Sequence, residues 1–133
     1  MFDNLSNSLF NKKIKTKELP FVEKFSFERR SQQAYNILSK YPDRIPIIVE
    51  RSMNDLETPL INKNKYLVPK SLTVGQFLFV IRRRLVLPPE KALFIFVNDI
   101  IPPTSQLLGI IYDEQKNKDD FLYITYSGEN TFG

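Results

Sequence analysis

Apolar positions recur along the chain at two spacings, and the changes of spacing mark where its elements begin and end. Phe27, Ala34, Ile37, Leu38 and Tyr41 fall on one helical stripe. They predict a helix from about Phe27 to Lys40, with Ser26 as its cap and Pro42 beyond its end. A shorter helix is expected around Pro20–Lys24. Ile45, Ile47 and Val49 then alternate with Pro46 and Ile48, a strand with two apolar faces. A sheet lying on one helix hides only one face. The second is therefore either covered by another element or partly open for binding. Pro46 implies an edge-like or terminal position there.

Ser52–Asn64 is mostly polar and contains Pro59, so it is read as a loop. Lys65-Tyr66-Leu67-Val68 is the second strand, stopped by Pro69. Thr73-Val74-Gly75-Gln76 forms a capping box. The helix it opens buries Val74, Phe77, Leu78, Ile81 and Leu85, and Arg82, Arg83 and Arg84 near its end complement the helix dipole. After Pro88-Pro89, Leu93–Val97 is a short buried strand and Asn98-Asp99 a turn. Thr104 or Ser105 is expected to cap a short helix through Gln115, and Phe121–Tyr126 is the last strand. The order is strand, strand, helix, strand, helix, strand. It predicts an α+β fold, the β-grasp arrangement of ubiquitin with two additional N-terminal helices. Residues 1–19, rich in Asn, Ser and Lys with no sustained period, are expected to be a flexible extension before one domain over 20–133.

Composition removes several function classes. The 133-residue chain has no Cys and no His. Thiol nucleophiles, Ser-His pairs, thiolate or imidazole zinc sites and disulfides are thereby excluded. No Asp/Glu pair has a recognisable catalytic spacing, so no enzyme activity, cofactor or metal is expected. No apolar run reaches the roughly 18–20 residues of a membrane span. The start resembles no signal peptide, and cytoplasmic residence is the simplest expectation. Charge is uneven: residues 1–84 carry sixteen Lys/Arg against eight Asp/Glu, and residues 85–133 three against seven. Such polarity suits acidic partners or anionic membrane at the basic end, but charge alone favours an ordinary solvated surface.

Several blocks resemble the autophagy ubiquitin-like modifiers, the GABA-receptor-associated protein and microtubule-associated light-chain family. They are Tyr41-Pro42-Asp43-Arg44-Ile45-Pro46, Lys65-Tyr66-Leu67-Val68-Pro69, Leu72-Thr73-Val74-Gly75-Gln76-Phe77, Ile81-Arg82-Arg83-Arg84, Phe96-Val97-Asn98, Ile101-Pro102-Pro103-Thr104-Ser105 and Tyr126-Ser127-Gly128-Glu129-Asn130-Thr131-Phe132-Gly133. They are collinear over about residues 20–133. The resemblance implies that Gly133 is joined covalently to phosphatidylethanolamine. Activating and conjugating enzymes supply the cysteines, and a deconjugating cysteine protease reverses the bond. Glycine suits this role, because without a Cβ it threads a narrow site and leaves its carbonyl open. Phe132 is expected to help those enzymes grip the tail.

The resemblance also implies capture of aromatic-x-x-aliphatic motifs from cargo receptors and autophagy scaffold proteins. The aromatic pocket would be lined by Ile37, Pro46, Ile48, Lys65, Leu67 and Phe121, and the aliphatic pocket by Tyr66, Val68, Pro69, Leu72, Phe77 and Val80. Arg44, Lys63, Lys65 and Arg84 would meet flanking acidic residues. The motif would pair with Lys65–Val68 as an added strand. A monomer in solution is expected, placed on autophagosome and related vesicle membranes when lipidated. Gln33 stands where the family often has an acidic residue, the Ser52–Asn64 connection looks slightly lengthened, and Phe2-Asp3-Asn4-Leu5 itself has the motif form. Two other readings stay open: a non-conjugated adaptor of the same fold, and a nucleic-acid or tubulin-binding module resting on Arg82–Arg84. No nucleic acid is expected, since no aromatic single-strand-binding signature accompanies the arginines.

Overall fold

The computed structural model describes residues 19–129; Phe2-Asp3-Asn4-Leu5 and Phe132-Gly133 lie outside the described residues. Helix α1 spans Phe21–Lys24 and α2 spans Phe27–Lys40. The Ser26 hydroxyl accepts the Arg29 N–H at 3.2 Å, the expected N-cap. The stripe on α2 is narrower than its apolar pattern. Ala34 is buried and Ile37 and Leu38 partly so, whereas Phe27 and Tyr41 are exposed. Their rings lie against cations instead, Arg30 over Phe27 and Lys40 over Tyr41.

Strand β1 (Arg44–Arg51) lies between β2 (Lys65–Pro69) and β4 (Leu122–Ser127), and β3 (Phe94–Phe96) closes the far side. β1 pairs antiparallel with β2 and parallel with β4, and β3 pairs antiparallel with β4. β1 is thus central rather than an edge. Pro46 is still accommodated, because pairing with β4 begins one residue later, at Ile47 with Leu122. At Pro46 itself β1 is therefore edge-like, paired with β2 on one side only, although the strand as a whole is central.

Both faces of β1 are covered. Ile45, Ile47 and Val49 join the main core with Val74, Phe77, Ile81 and Leu85 of α3 (Val74–Leu85), and with Leu122, Ile124 and Tyr126. Ile48 faces the other way, into a smaller cluster with Phe21, Ala34 and Phe121. Its full burial answers the two-faced strand: α1 and α2 are the second cover. Phe21 is central there, its ring 5.2 Å from that of Phe121 and its N–H donated to Glu50 at 2.8 Å.

The capping box at Thr73 forms with both of its hydrogen bonds. The next helix differs from expectation. α4 spans Leu108–Gln115, capped by neither Thr104 nor Ser105. Its first N–H groups are taken by main-chain carbonyls instead: Leu108 donates to Leu72 at 2.8 Å and Gly109 to Lys70 at 3.0 Å. Residues 104–106 serve α3, since Gly75 donates to the Thr104 carbonyl and Val74 to that of Gln106. Asn98 and Asp99 turn with φ of 50° and 65° beside a Val97–Ile100 bridge, the expected tight turn.

Candidate functional site

The site is built on the outer edge of β2, whose only strand partner among the described residues is β1. The register sets Pro46 opposite Leu67 and Ile48 opposite Lys65, and it sets Ile45 opposite Val68 and Ile47 opposite Tyr66. Strand side chains alternate, so the first pairs share the α2 face and the second pairs the α3 face. Apart from Pro69, which the register puts on the α2 face with Leu67 and Lys65, the β2 residues assigned to the two pockets therefore lie on opposite faces of one edge.

On the α2 side, Ile48 and Phe121 are fully buried and Pro46 is buried, with Ile37 partly buried against their cluster. Leu67 and Lys65 remain partly exposed. The Lys65 ammonium donates to Gln33 Oε1 at 2.6 Å and sits 5.6 Å from the centre of the Phe21 ring. Burial pushes its pKa down. Gln33 in this position is a neutral partner, so the Lys65 charge is not cancelled by it.

On the α3 side, Tyr66, Val68 and Phe77 are buried in the main core, with Leu72 and Val80 packed against it; Pro69, exposed at the end of β2, does not join them. The Tyr66 and Phe77 rings meet edge to face at 5.5 Å. Burial raises the Tyr66 pKa, and the nearby Arg84 charge opposes this. The Lys63 ammonium lies 5.3 Å from the centre of the Tyr66 ring, and Arg44 is exposed opposite Pro69. Cations thus rim the edge. The rest of the arginine run acts locally: Arg82 donates to the carbonyls of Pro88 and Lys91, and Arg83 stacks on Phe79.

Two polar clusters went unread in the sequence. Asp119, fully buried, bridges α2 and the start of β4 by accepting from the Arg30 guanidinium at 2.8 Å, the Tyr123 hydroxyl at 2.5 Å and the Phe121 N–H at 2.9 Å. It fixes Phe121 in the α2-side cluster with Phe21 and Ile48. The second, around Asp55, holds the chain where β4 ends. Only an Asx-type pattern in each loop, Asn117 before Asp119 and Asp55 before Thr58, could have flagged them.

Comparison with known proteins identifies the family. The sequence matches the family described as "Autophagy protein Atg8 ubiquitin like" over residues 29–133. The chain belongs to the Atg8 family. It is 57% identical to Autophagy-related protein 8 of Schizosaccharomyces pombe over 113 residues, 85% of this chain and 93% of that one. It is 58% identical to Autophagy-related protein 8e of Arabidopsis thaliana over 107 residues, 80% of this chain and 87% of the other. The crystal structure of Trypanosoma brucei ATG8 superposes with a TM-score of 0.79 at 41% identity, covering 87% of this chain and 99% of that one. The α+β architecture is the ubiquitin-like Atg8 fold. Among the described residues no helix is long and apolar enough to cross a membrane.

Proposed function

We propose that this Atg8-family protein is conjugated through Gly133 to phosphatidylethanolamine on autophagic membranes and recruits receptors through aromatic-x-x-aliphatic motifs laid along β2. One observation carries the motif reading. In an extended chain, residues three apart point to opposite sides, and Ile48, Leu67 and Phe121 lie on the opposite face of the β2 edge from Tyr66, Val68 and Phe77. A motif with that spacing can send its aromatic side chain toward Ile48, Leu67 and Phe121 while its aliphatic one reaches Tyr66, Val68 and Phe77. Each large side chain buried supplies about 1.5–3 kcal/mol. Rim cations at Arg44, Lys63, Lys65 and Arg84 each add roughly 0.2–1 kcal/mol with acidic flanks, serving choice and rate of encounter.

Attachment rests on family membership and on the residues ending in Phe132-Gly133. Partner enzymes hold the catalytic cysteines, and the lipid's two acyl chains would give stable anchoring where one gives only marginal binding.

Calorimetry with a reference peptide tests the groove. Leu67→Asp is expected to weaken binding at least tenfold, and inserting one residue between the two anchors of the peptide should weaken it similarly. Equal binding of the original and lengthened peptides would sink the two-faced reading. Deleting Gly133 should abolish the lipid adduct seen by intact mass in cells while leaving peptide affinity unchanged. An adduct that persists removes the conjugation reading.

A further inference from the structure

Asp55, in the β1–β2 loop, is 73 positions from Gly128 in sequence and holds it in space. Its Oδ2 accepts the Gly128 N–H at 2.8 Å, the Ser127 hydroxyl at 3.3 Å and the Thr58 hydroxyl. Its Oδ1 accepts the N–H groups of Glu57 at 3.0 Å and Thr58 at 2.9 Å. Burial pushes the carboxyl up, but the donors from Gly128, Thr58 and Glu57 outweigh it and hold the group well below the usual carboxylate range. The contact is tight as well as polar. A Cβ on Gly128 would lie 2.7 Å from the Thr58 hydroxyl. The loop is braced in turn, because Arg51 donates to the Thr58 carbonyl at 2.6 Å and Tyr126 to that of Pro59 at 2.7 Å. Ser127 is buried, and its oxygen accepts the Glu129 N–H at 3.1 Å.

We propose that Asp55 is a positioning residue for C-terminal conjugation, a clamp that fixes where the chain leaves the folded body. The inference rests on the conjugation reading. Gly133 lies five positions beyond Gly128, so a tail clamped at Gly128 reaches at most about 17 Å. Opening the clamp moves the last fixed point back from Gly128 to Ser127, which stays paired with Phe94 of β3. The longer, looser tail presents its carboxylate at a lower effective concentration to an enzyme that holds the body. Asp55 acts through the segment it orders; the bond-making groups belong to the enzymes.

The test uses the full chain with its activating enzyme and ATP, comparing Asp55→Ala, Asp55→Asn and Thr73→Ala. The last variant loses the α3 capping box but no bond to Asp55. It is therefore a control for general destabilisation. Asp55→Ala should speed amide exchange at Gly128 at least tenfold and slow thioester formation about three- to tenfold at saturating chain, with the half-saturating concentration unchanged. Asp55→Asn keeps one acceptor and should recover part of both effects. Peptide affinity should be the same in all three. Charging of Asp55→Ala at the rate of Thr73→Ala overturns the clamp's role while leaving conjugation intact. Failure of the unaltered chain to be charged overturns the conjugation reading and this inference together.

Discussion

Tyr126 is fully buried, and its hydroxyl both donates to the Pro59 carbonyl and accepts the Ile61 N–H at 2.9 Å. Replacing it by Phe leaves a buried N–H without a partner, so Tyr126→Phe should lower stability by about 1–3 kcal/mol in urea titrations. A pH signature accompanies this loss. Burial raises the Tyr126 pKa to about 12 from 10.0. The folded state therefore keeps a proton that the unfolded state gives up. The corresponding stability is complete below pH 10 and disappears as pH rises toward 12. The alkaline decline should be shallower in Tyr126→Phe than in the unaltered chain. None of this was legible from the residues near Tyr126, because its partners lie 65 and 67 positions away. Arg30 and Asp119 are 89 apart. Caps and alternation are local and could be read; pairings closed only by the sheet could not.

Among the elements, those set by local chemistry stood clear in the sequence: the Ser26 cap, the Thr73 capping box and the Asn98-Asp99 turn. α4 did not, because its start is fixed by the carbonyls of Lys70 and Leu72 rather than by its own side chains. The same packing gives an inverted expectation. Glycine in a helix ordinarily costs about 0.5–1 kcal/mol relative to alanine. A Cβ on Gly109 would lie 2.8 Å from the Lys70 Cβ and 2.9 Å from its carbonyl oxygen. Gly109→Ala is therefore expected to destabilise, by about 1–3 kcal/mol, as α4 is pushed off the β2–α3 connection. A higher melting temperature would show that the connection yields instead. The apolar residues assigned to the two pockets were legible as strand and helix positions. Their division between two faces needed the register.

At the scale of the molecule, the sheet has covers of unequal strength. The α3 side holds most of the buried residues, while the α1–α2 side rests on Phe21, Ala34, Ile48 and Phe121, supported by Arg30–Asp119. Opening of the smaller cover should precede global unfolding. Amides of α1 and α2 are expected to exchange at least tenfold faster than those of β1 and β4, measured by native-state hydrogen exchange. Equal rates would mean that the two covers unfold as one. The edge of β2 has a different consequence. Any strand that can receive a visitor can also receive another copy of itself, and natural sheets guard such edges against aggregation. Here the edge is five residues long, ends in Pro69, and is bordered by Lys63, Lys65 and Lys70. Two copies meeting there would bring like charges together, whereas an acidic peptide brings opposite ones. Under the proposed function, the cations that would meet a partner's acidic residues would also oppose pairing of one copy with another.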